Sequence, residues 1–427
     1  MSDLLNEYYN ENKSNIEGID SLGKIYKTTR ERIVKHINVD NSIKENMKTA
    51  AADLYFLYYS SLSYIKDKKN NNEFLENVRN NMIKLVKTDE FKKEKVSSGL
   101  NDKLSMLYSI NFIKQLNENV KKNREKNQNS DNEKMNEMVN DAMASASKKM
   151  ETADKIEKLM KTNRPGGRSA SRDDIPLEKL IDLTDKVLTV ENAENIISTA
   201  NKLFDIMPKF TKKMKTRSNT GELGGYYKTL HISNVLSREL AMPDEIFYSK
   251  IINGFTGKEK MLLSEGAYYV LLDKSGSMYE GDKTVWSRSV ALALFKIATM
   301  KNRKYFLRFF DNKPHELMDK PYEIVNAILT VEANKGTYIE GALETSISDL
   351  KNTKLSFRTN TVIVITDGED KINMDSILKH LSKLDINIIS VMINGYNEGL
   401  KKISNKYLNA KLNEDGALRL LNIAKSF

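Results

Sequence analysis

Two carboxylates and three hydroxyls, carried on three segments far apart in the chain, are the residues whose types and spacing suit chemistry. Asp273, Ser275 and Ser277 lie in the run Asp-Lys-Ser-Gly-Ser-Met at 273–278, Thr337 follows Gly336, and Asp367 stands in Thr-Asp-Gly-Glu-Asp at 366–370. Hard oxygen donors with few carboxylates suit magnesium, which takes near-octahedral oxygen geometry and keeps several waters. Each motif alone has a plainer reading. Ser275 or Ser277 is a common type of helix cap, Thr337 an ordinary first-turn residue, and Asp-Gly a turn. A hydroxyl nucleophile is a third possibility, and it needs a neighbouring base.

The elements around these motifs decide whether they meet. After Gly266, apolar runs rich in β-branched or aromatic residues alternate with helical patterns. The runs 267–272, 304–310, 361–366 and 386–393 read as strands, and 285–300, 322–329, 339–350 and 374–384 as helices. That alternation predicts an α/β fold, a doubly wound and mostly parallel sheet covered on both faces. Ligands of such sheets gather beyond the carboxyl ends of the strands. Asp273, Ser275 and Ser277 follow the first strand and Asp367 the third, while Gly336-Thr337 opens a helix. All five are therefore expected at one edge. Gly276 and Gly368 leave room for the backbone to turn around an ion. Glu369 and Asp370 read as solvated loop acids, and the stripe Trp286, Val290, Leu294, Ile297 as core. The segment Asp-Asn-Lys-Pro-His-Glu-Leu-Met-Asp at 311–319 reads as a turn with an antiparallel edge strand.

The first 260 residues read as mainly α-helical, with no convincing run of strands. Residues 50–65, 74–86 and 100–116 space their apolar side chains three to four apart, and the helical pattern resumes from Leu177 to about Met214. The polar stretch 118–134 and the Pro-, Gly- and Ser-bearing stretch 161–174 read as connectors. A domain boundary is expected near residue 260, giving a helical region at 1–260 and an α/β domain at 261–427.

Asp-x-Ser-x-Ser at Asp273, Ser275 and Ser277, Gly-Thr at Thr337 and Asp-Gly at Asp367 and Gly368 stand in the order of a known constellation. Together they resemble the metal-ion-dependent adhesion site of von Willebrand factor A domains, over roughly residues 266–427. The resemblance implies a Rossmann-like fold and a bound Mg2+, or another divalent cation such as Mn2+. It implies that Ser275, Ser277 and Thr337 ligate the ion directly, that Asp273 and Asp367 act largely through bound waters, and that one position stays open for a partner's carboxylate. The segment from Gly224 through Met278, with Ser-Arg-Glu-Leu-Ala at 237–241, resembles the region preceding this site in CoxE-like and ViaA-like proteins. That likeness implies a MoxR-type AAA+ ATPase as partner, with this chain as the adaptor.

Other classes fit less well. There is no Gly-x-x-x-x-Gly-Lys-Ser/Thr phosphate loop, since residues 254–259 have the wrong spacing, and no Gly-x-Ser-x-Gly elbow. The four histidines, His36, His231, His315 and His380, stand apart, and His315 and His380 read as surface or packing residues. No catalytic residues are expected. With no cysteine, thiolate zinc sites and cysteine nucleophiles are excluded. No apolar stretch is long enough to predict a membrane span. The opening residues lack an export pattern, so a cytoplasmic location is expected. The net charge of +10 is spread along the chain, with 45 basic against 39 acidic residues up to 265 and 23 against 19 after it. This reads as a mixed-charge surface rather than a nucleic-acid patch. The alternative of a Ro-like RNA-binding protein also joins a helical region to an A domain, but it needs a basic face or helical repeat that the sequence does not display.

Overall fold

The structure, a computed structural model, describes residues 13–19, 23–37, 45–125, 132–160, 175–206, 216–230, 235–262, 266–301, 303–332, 336–352, 360–368, 370–381 and 386–426. The expected connector 161–174, residues 207–215, His231 and Glu369 lie outside these. The chain divides into two compact units, the first within Met1–Lys161 and Ser169–Ser198 and the second formed by the remainder.

The first unit is helical among its described residues. It comprises α1 (Lys24–Lys35), α2 (Glu45–Tyr59), α3 (Glu73–Val86), α4 (Asp89–Ser98), α5 (Asp102–Glu125), α6 (Asn132–Met160) and α7 (Leu177–Thr189), and α8 (Ala193–Ile206) begins in it. Helices α5 and α6 pack along each other, and α5 buries Leu104, Leu107, Tyr108, Phe112 and Ile113 at helical spacing. The apolar pattern over 50–65 breaks earlier than its spacing suggests. Helix α2 stops at Tyr59, where the Lys95 ammonium takes the carbonyls of Leu57, Tyr58 and Ser60. Those carbonyls have no intrahelical partner, and the half-buried cation satisfies them where the helix ends. Burial in turn lowers the Lys95 pKa to about 8. Beyond the stop, Ile65 pairs with Ile16 in an antiparallel bridge.

The second unit opens with a two-stranded antiparallel pair that the sequence did not signal: β1 (Thr216–Thr229) and β2 (Phe255–Leu262), with α9 (Ser237–Leu240) and α10 (Asp244–Asn253) between them. Strand β1 runs through Arg-Ser-Asn-Thr-Gly-Glu-Leu-Gly-Gly and shifts register twice. Its pairing is made by main chain rather than by an alternating apolar face, so no period of two marks it. Glu239, almost fully buried, accepts hydrogen bonds from Lys250 Nζ and the Thr256 N–H, both at 3.0 Å, and so ties the inserted helices to β2.

The sheet that follows bears out the α/β reading. In chain order it contains β3 (Tyr268–Asp273), a short 3-10 turn (Gly276–Tyr279), α11 (Lys283–Lys301), β4 (Tyr305–Phe310), α12 (Pro321–Thr330), α13 (Ile339–Asn352) and β5 (Asn360–Thr366). It continues with α14 (Met374–Leu381), β6 (Ile386–Ile393), α15 (Glu398–Ile403), β7 (Lys406–Ala410) and α16 (Glu414–Ser426). The strand order is β4-β3-β5-β6-β7 and every pair is parallel. Strands β3, β4 and β5 are buried along their whole length, which is why they read as continuous apolar runs. Tyr269 and Leu271 face a core shared with Ile339, Leu343, Ile347 and Ile377 of α13 and α14. On the other face Tyr268 donates to the Ala424 carbonyl of α16, 2.7 Å away, and the stripe Trp286, Val290, Leu294, Ile297 is buried as expected. The segment after Phe310 makes only two antiparallel bridges, Phe310 to Pro314 and Leu307 to Met318. Pro314 has no N–H to extend a ladder. Strand β7, half-exposed and polar, gave no apolar run to read.

One prediction concerns the core of the first unit. Asp53 of α2 is fully buried and accepts hydrogen bonds from Ser14 Oγ (2.7 Å), Asn15 N (2.8 Å) and Tyr26 OH (2.7 Å). Burial pushes its carboxyl from 3.8 up to about 6 against those donors. The folded state thus holds the proton more tightly than the unfolded chain. Asp53's favourable contribution is present in full below pH 3.8 and is lost as pH rises through about 6. Denaturant unfolding should show wild type losing about 2 kcal/mol relative to Asp53→Asn between pH 4 and 6.5, with little further change above that.

Candidate metal centre

In the order β4-β3-β5, the chain leaves β3 toward one side and returns on the other, so the crevice above β3 and β5 is the switch point of the sheet. The register sets Leu272 beside Ile365, which leaves Asp273 and Thr366 as neighbouring strand ends. Asp273 Oδ1 accepts from the Ser275 N–H at 2.7 Å, closing the turn after β3, and Asp273 Oδ2 accepts from the Thr366 hydroxyl across the two strands. Thr366 Oγ1 accepts in its turn from the Gly368 N–H at 2.9 Å, bending the chain back after β5. A single carboxylate thus shapes both loops.

The remaining groups follow. Ser277 Oγ donates to Asp367 Oδ1 at 2.8 Å, and Ser275 Oγ lies 3.1 Å from Ser277 Oγ. Ser275 stands at the N-cap of the 3-10 turn but makes no side-chain capping bond there. A hydroxyl whose proton is spent on a neighbouring carboxylate keeps its lone pairs for a cation. Thr337 reaches the same place by close approach: a Cβ on Gly368 would sit 2.6 Å from Thr337 Cγ2 and 3.1 Å from its Oγ1, so only glycine fits. Hydrogen bonds therefore join Asp273, Ser275, Ser277 and Asp367, and packing sets Thr337 against Asp367's neighbour. Ser277 is exposed while Asp273 and Ser275 are buried, so the cluster opens outward at Ser277.

The electrostatics leave a vacancy of charge. Burial pushes Asp273 up to about 6, opposed by its bonds to Thr366 and Ser275 and reinforced by the negative Asp367. The donors to it are neutral. Two acids and three hydroxyl oxygens around an outward-opening cleft suit a hard cation, which would supply the positive charge that Asp273 lacks. Among the described residues no three His, Cys, Asp or Glu side chains cluster into a ready cage.

Several residues that build the site gave no distinct sequence signal. Thr366 ends the run Thr-Val-Ile-Val-Ile-Thr and reads as one more β-branched strand residue. Lys283, first residue of α11, places its Nζ 2.8 Å from Asp367 Oδ2 and 3.1 Å from the Ser277 carbonyl. Asp370 is a correction: rather than a solvated loop acid, it accepts from the Ile339 N–H at 2.9 Å and so caps α13, the helix that Thr337 precedes. Gly336, at φ +92°, lies so close to Asn312 that a Cβ would be 3.0 Å from its side chain, and the Tyr338 N–H donates to the Asp311 carbonyl at 2.6 Å. His315, expected as a surface or packing residue, has its Nε2 2.8 Å from Asp311 Oδ2, which also lies 3.3 Å from Lys274 Nζ. His36 lies 3.6 Å from Glu178, far along the chain from the site.

Residues 268–369 match the model of the von Willebrand factor type A domain. The chain is 24% identical to an uncharacterized protein of Methanocaldococcus jannaschii over 407 residues, 88% of this chain and 90% of that one. A solved von Willebrand factor type A protein from Catenulispora acidiphila is 14% identical over 40% of this chain, with a TM-score of 0.31; the match spans 43% of that protein. A proximal thread matrix protein of the mussel byssus, solved with zinc in its MIDAS motif, is 13% identical over 37% of this chain and 46% of its own, with a TM-score of 0.30.

The hydrogen bonds single out Thr366. Thr366→Val keeps the shape of the side chain but removes the donor to Asp273 Oδ2 and the acceptor of the Gly368 N–H. Chemical unfolding should show a loss of about 2 kcal/mol, the usual cost of leaving buried groups unpaired. Thr366→Ser should retain most of that stability.

Proposed function

We propose that this chain, which carries a von Willebrand factor type A domain, is a divalent-cation-dependent protein-binding adaptor rather than an enzyme. Domains of this type are generally interaction modules, and a divalent metal in the adhesion site is common among them. The observation that carries the reading is the convergence of Asp273, Ser275, Ser277 and Asp367 in one hydrogen-bonded cluster, with Thr337 packed beside it.

Ser275, Ser277 and Thr337 would hold the ion, and Asp273 and Asp367 would support it through bound waters. Magnesium is the expected occupant, with manganese as an alternative of similar hardness. Neutral hydroxyl ligands leave the cation electron-poor, and that is the chemistry it supplies: affinity for a carboxylate from another protein. This chain's own residues orient the donors and keep the cluster open at Ser277. Among the described residues no helix is long and apolar enough to cross a membrane.

The likeness to CoxE-like and ViaA-like proteins supports a narrower version, in which the partner is a MoxR-type AAA+ ATPase and the setting cytoplasmic. The ATPase would supply nucleotide hydrolysis, and this chain would supply recognition.

Affinity capture on the immobilised full chain, with Mg2+ or with EDTA, tests both levels. The expected result is a bound protein set that is lost with EDTA and lost again with Asp273→Ala or with Ser275→Ala/Ser277→Ala. An AAA+ ATPase in that set supports the narrower reading. Binding that ignores both EDTA and these substitutions would falsify the metal-dependent one.

A further inference from the structure

Lys283 is the cation nearest the cluster, and its position is costly unless it has a task. It is the first residue of α11, where the helix dipole presents partial positive charge and disfavours a basic side chain. The side chain is nevertheless largely covered, 15% exposed, and its ammonium sits 2.8 Å from Asp367 Oδ2, on a carboxylate only 4% exposed. A second contact, 3.1 Å to the Ser277 carbonyl, holds the ammonium over the serine turn. Both oxygens of Asp367 are thereby engaged, Oδ1 by the Ser277 hydroxyl and Oδ2 by Lys283.

Resting on the metal reading above, we infer that Lys283 is a tethered competitor of the divalent cation. It neutralises Asp367 in the metal-free protein and must swing away when the ion arrives. The two cations cannot share the site cheaply. An ammonium within about 3 Å of a carboxylate that supports a divalent ion lies close enough to repel that ion strongly in a poorly solvated cleft. The lysine stem is long and flexible, and its route outward follows the exposed side of the cluster at Gly276 and Ser277. The metal-free fold is then stable without an ion. Metal affinity is set by the difference between ion and lysine, and so is weaker than the donor set alone would give.

Isothermal titration of the full chain with MgCl2 and with MnCl2 tests this on wild type, Lys283→Met and Lys283→Arg, with circular dichroism checking the fold. Lys283→Met should bind either ion about tenfold more tightly, the order expected when one competing ion pair is removed. Its metal-free melting temperature should fall below that of wild type, because Asp367 loses its counter-charge, and saturating Mg2+ should raise it by more than in wild type. Lys283→Arg, which keeps the charge, should stay within about twofold of wild-type affinity. Equal or weaker binding by a folded Lys283→Met, or an unaltered metal-free melting temperature, overturns the inference. Should the methionine variant not fold, Lys283→Gln, which keeps a donor for Asp367 without the charge, is read the same way. If wild type and all variants fail to bind either ion, the metal reading of the site falls, and this inference with it.

Discussion

The site hangs on one carboxylate buried where two parallel strands end side by side. Asp273 closes its own turn through the Ser275 N–H and crosses to β5 through the Thr366 hydroxyl. Because Thr366 then fixes Gly368, the loops after β3 and β5 take their shape from the same group. The sheet makes this possible by placing β3 and β5 in register at the switch point, so the two strand ends arrive level. Remove the carboxylate, and the serine turn loses the bond that closes it, while Thr366, which bends the Asp-Gly turn, loses the acceptor that orients its hydroxyl.

Around that group the cleft is short of positive charge but not bare of it. Asp273 is buried among neutral donors, which is why burial raises it. Asp367, one side chain further out, meets Lys283. Farther along the same edge, Asp311 is nearly fully covered and faces both Lys274 and His315. The carboxyl edge of the sheet is therefore a row of acids at β3, β4 and β5. The acids at β4 and β5 are balanced by basic side chains, and the one at β3, between them, is left to neutral donors.

The sequence displayed this architecture where burial is continuous and hid it where burial is partial. Strands β3 to β6 read directly, because a parallel strand covered on both faces is an unbroken apolar run. Asp273, Ser275, Ser277 and Asp367 stood out for a related reason, as polar residues placed just beyond such runs, and Thr337 stood out as a hydroxyl after glycine at the opening of a helix. Strands β1 and β7 were not legible, since a polar paired strand has no period to detect. Thr366 was hidden by belonging to a strand, where threonine is common. Lys283 is one of 68 basic residues and sits at a helix position that usually disfavours them. Asp370 was misread because an acid in a loop looks solvated until the helix it caps is known.

The short run from Thr366 to Asp370 has a consequence of its own. Its first residue grips β3 through Asp273, its second accepts the Ser277 hydroxyl, its third admits Thr337 by having no side chain, and its last holds the N-terminus of α13. Four duties fall to four residues within a run of five, each at a fixed step along the chain. The run is thus constrained in length as firmly as in composition. One residue inserted or deleted there would throw every later contact out of phase, whereas a conservative replacement disturbs only its own. Among relatives sharing this site, the spacing between these positions should be the last feature to drift.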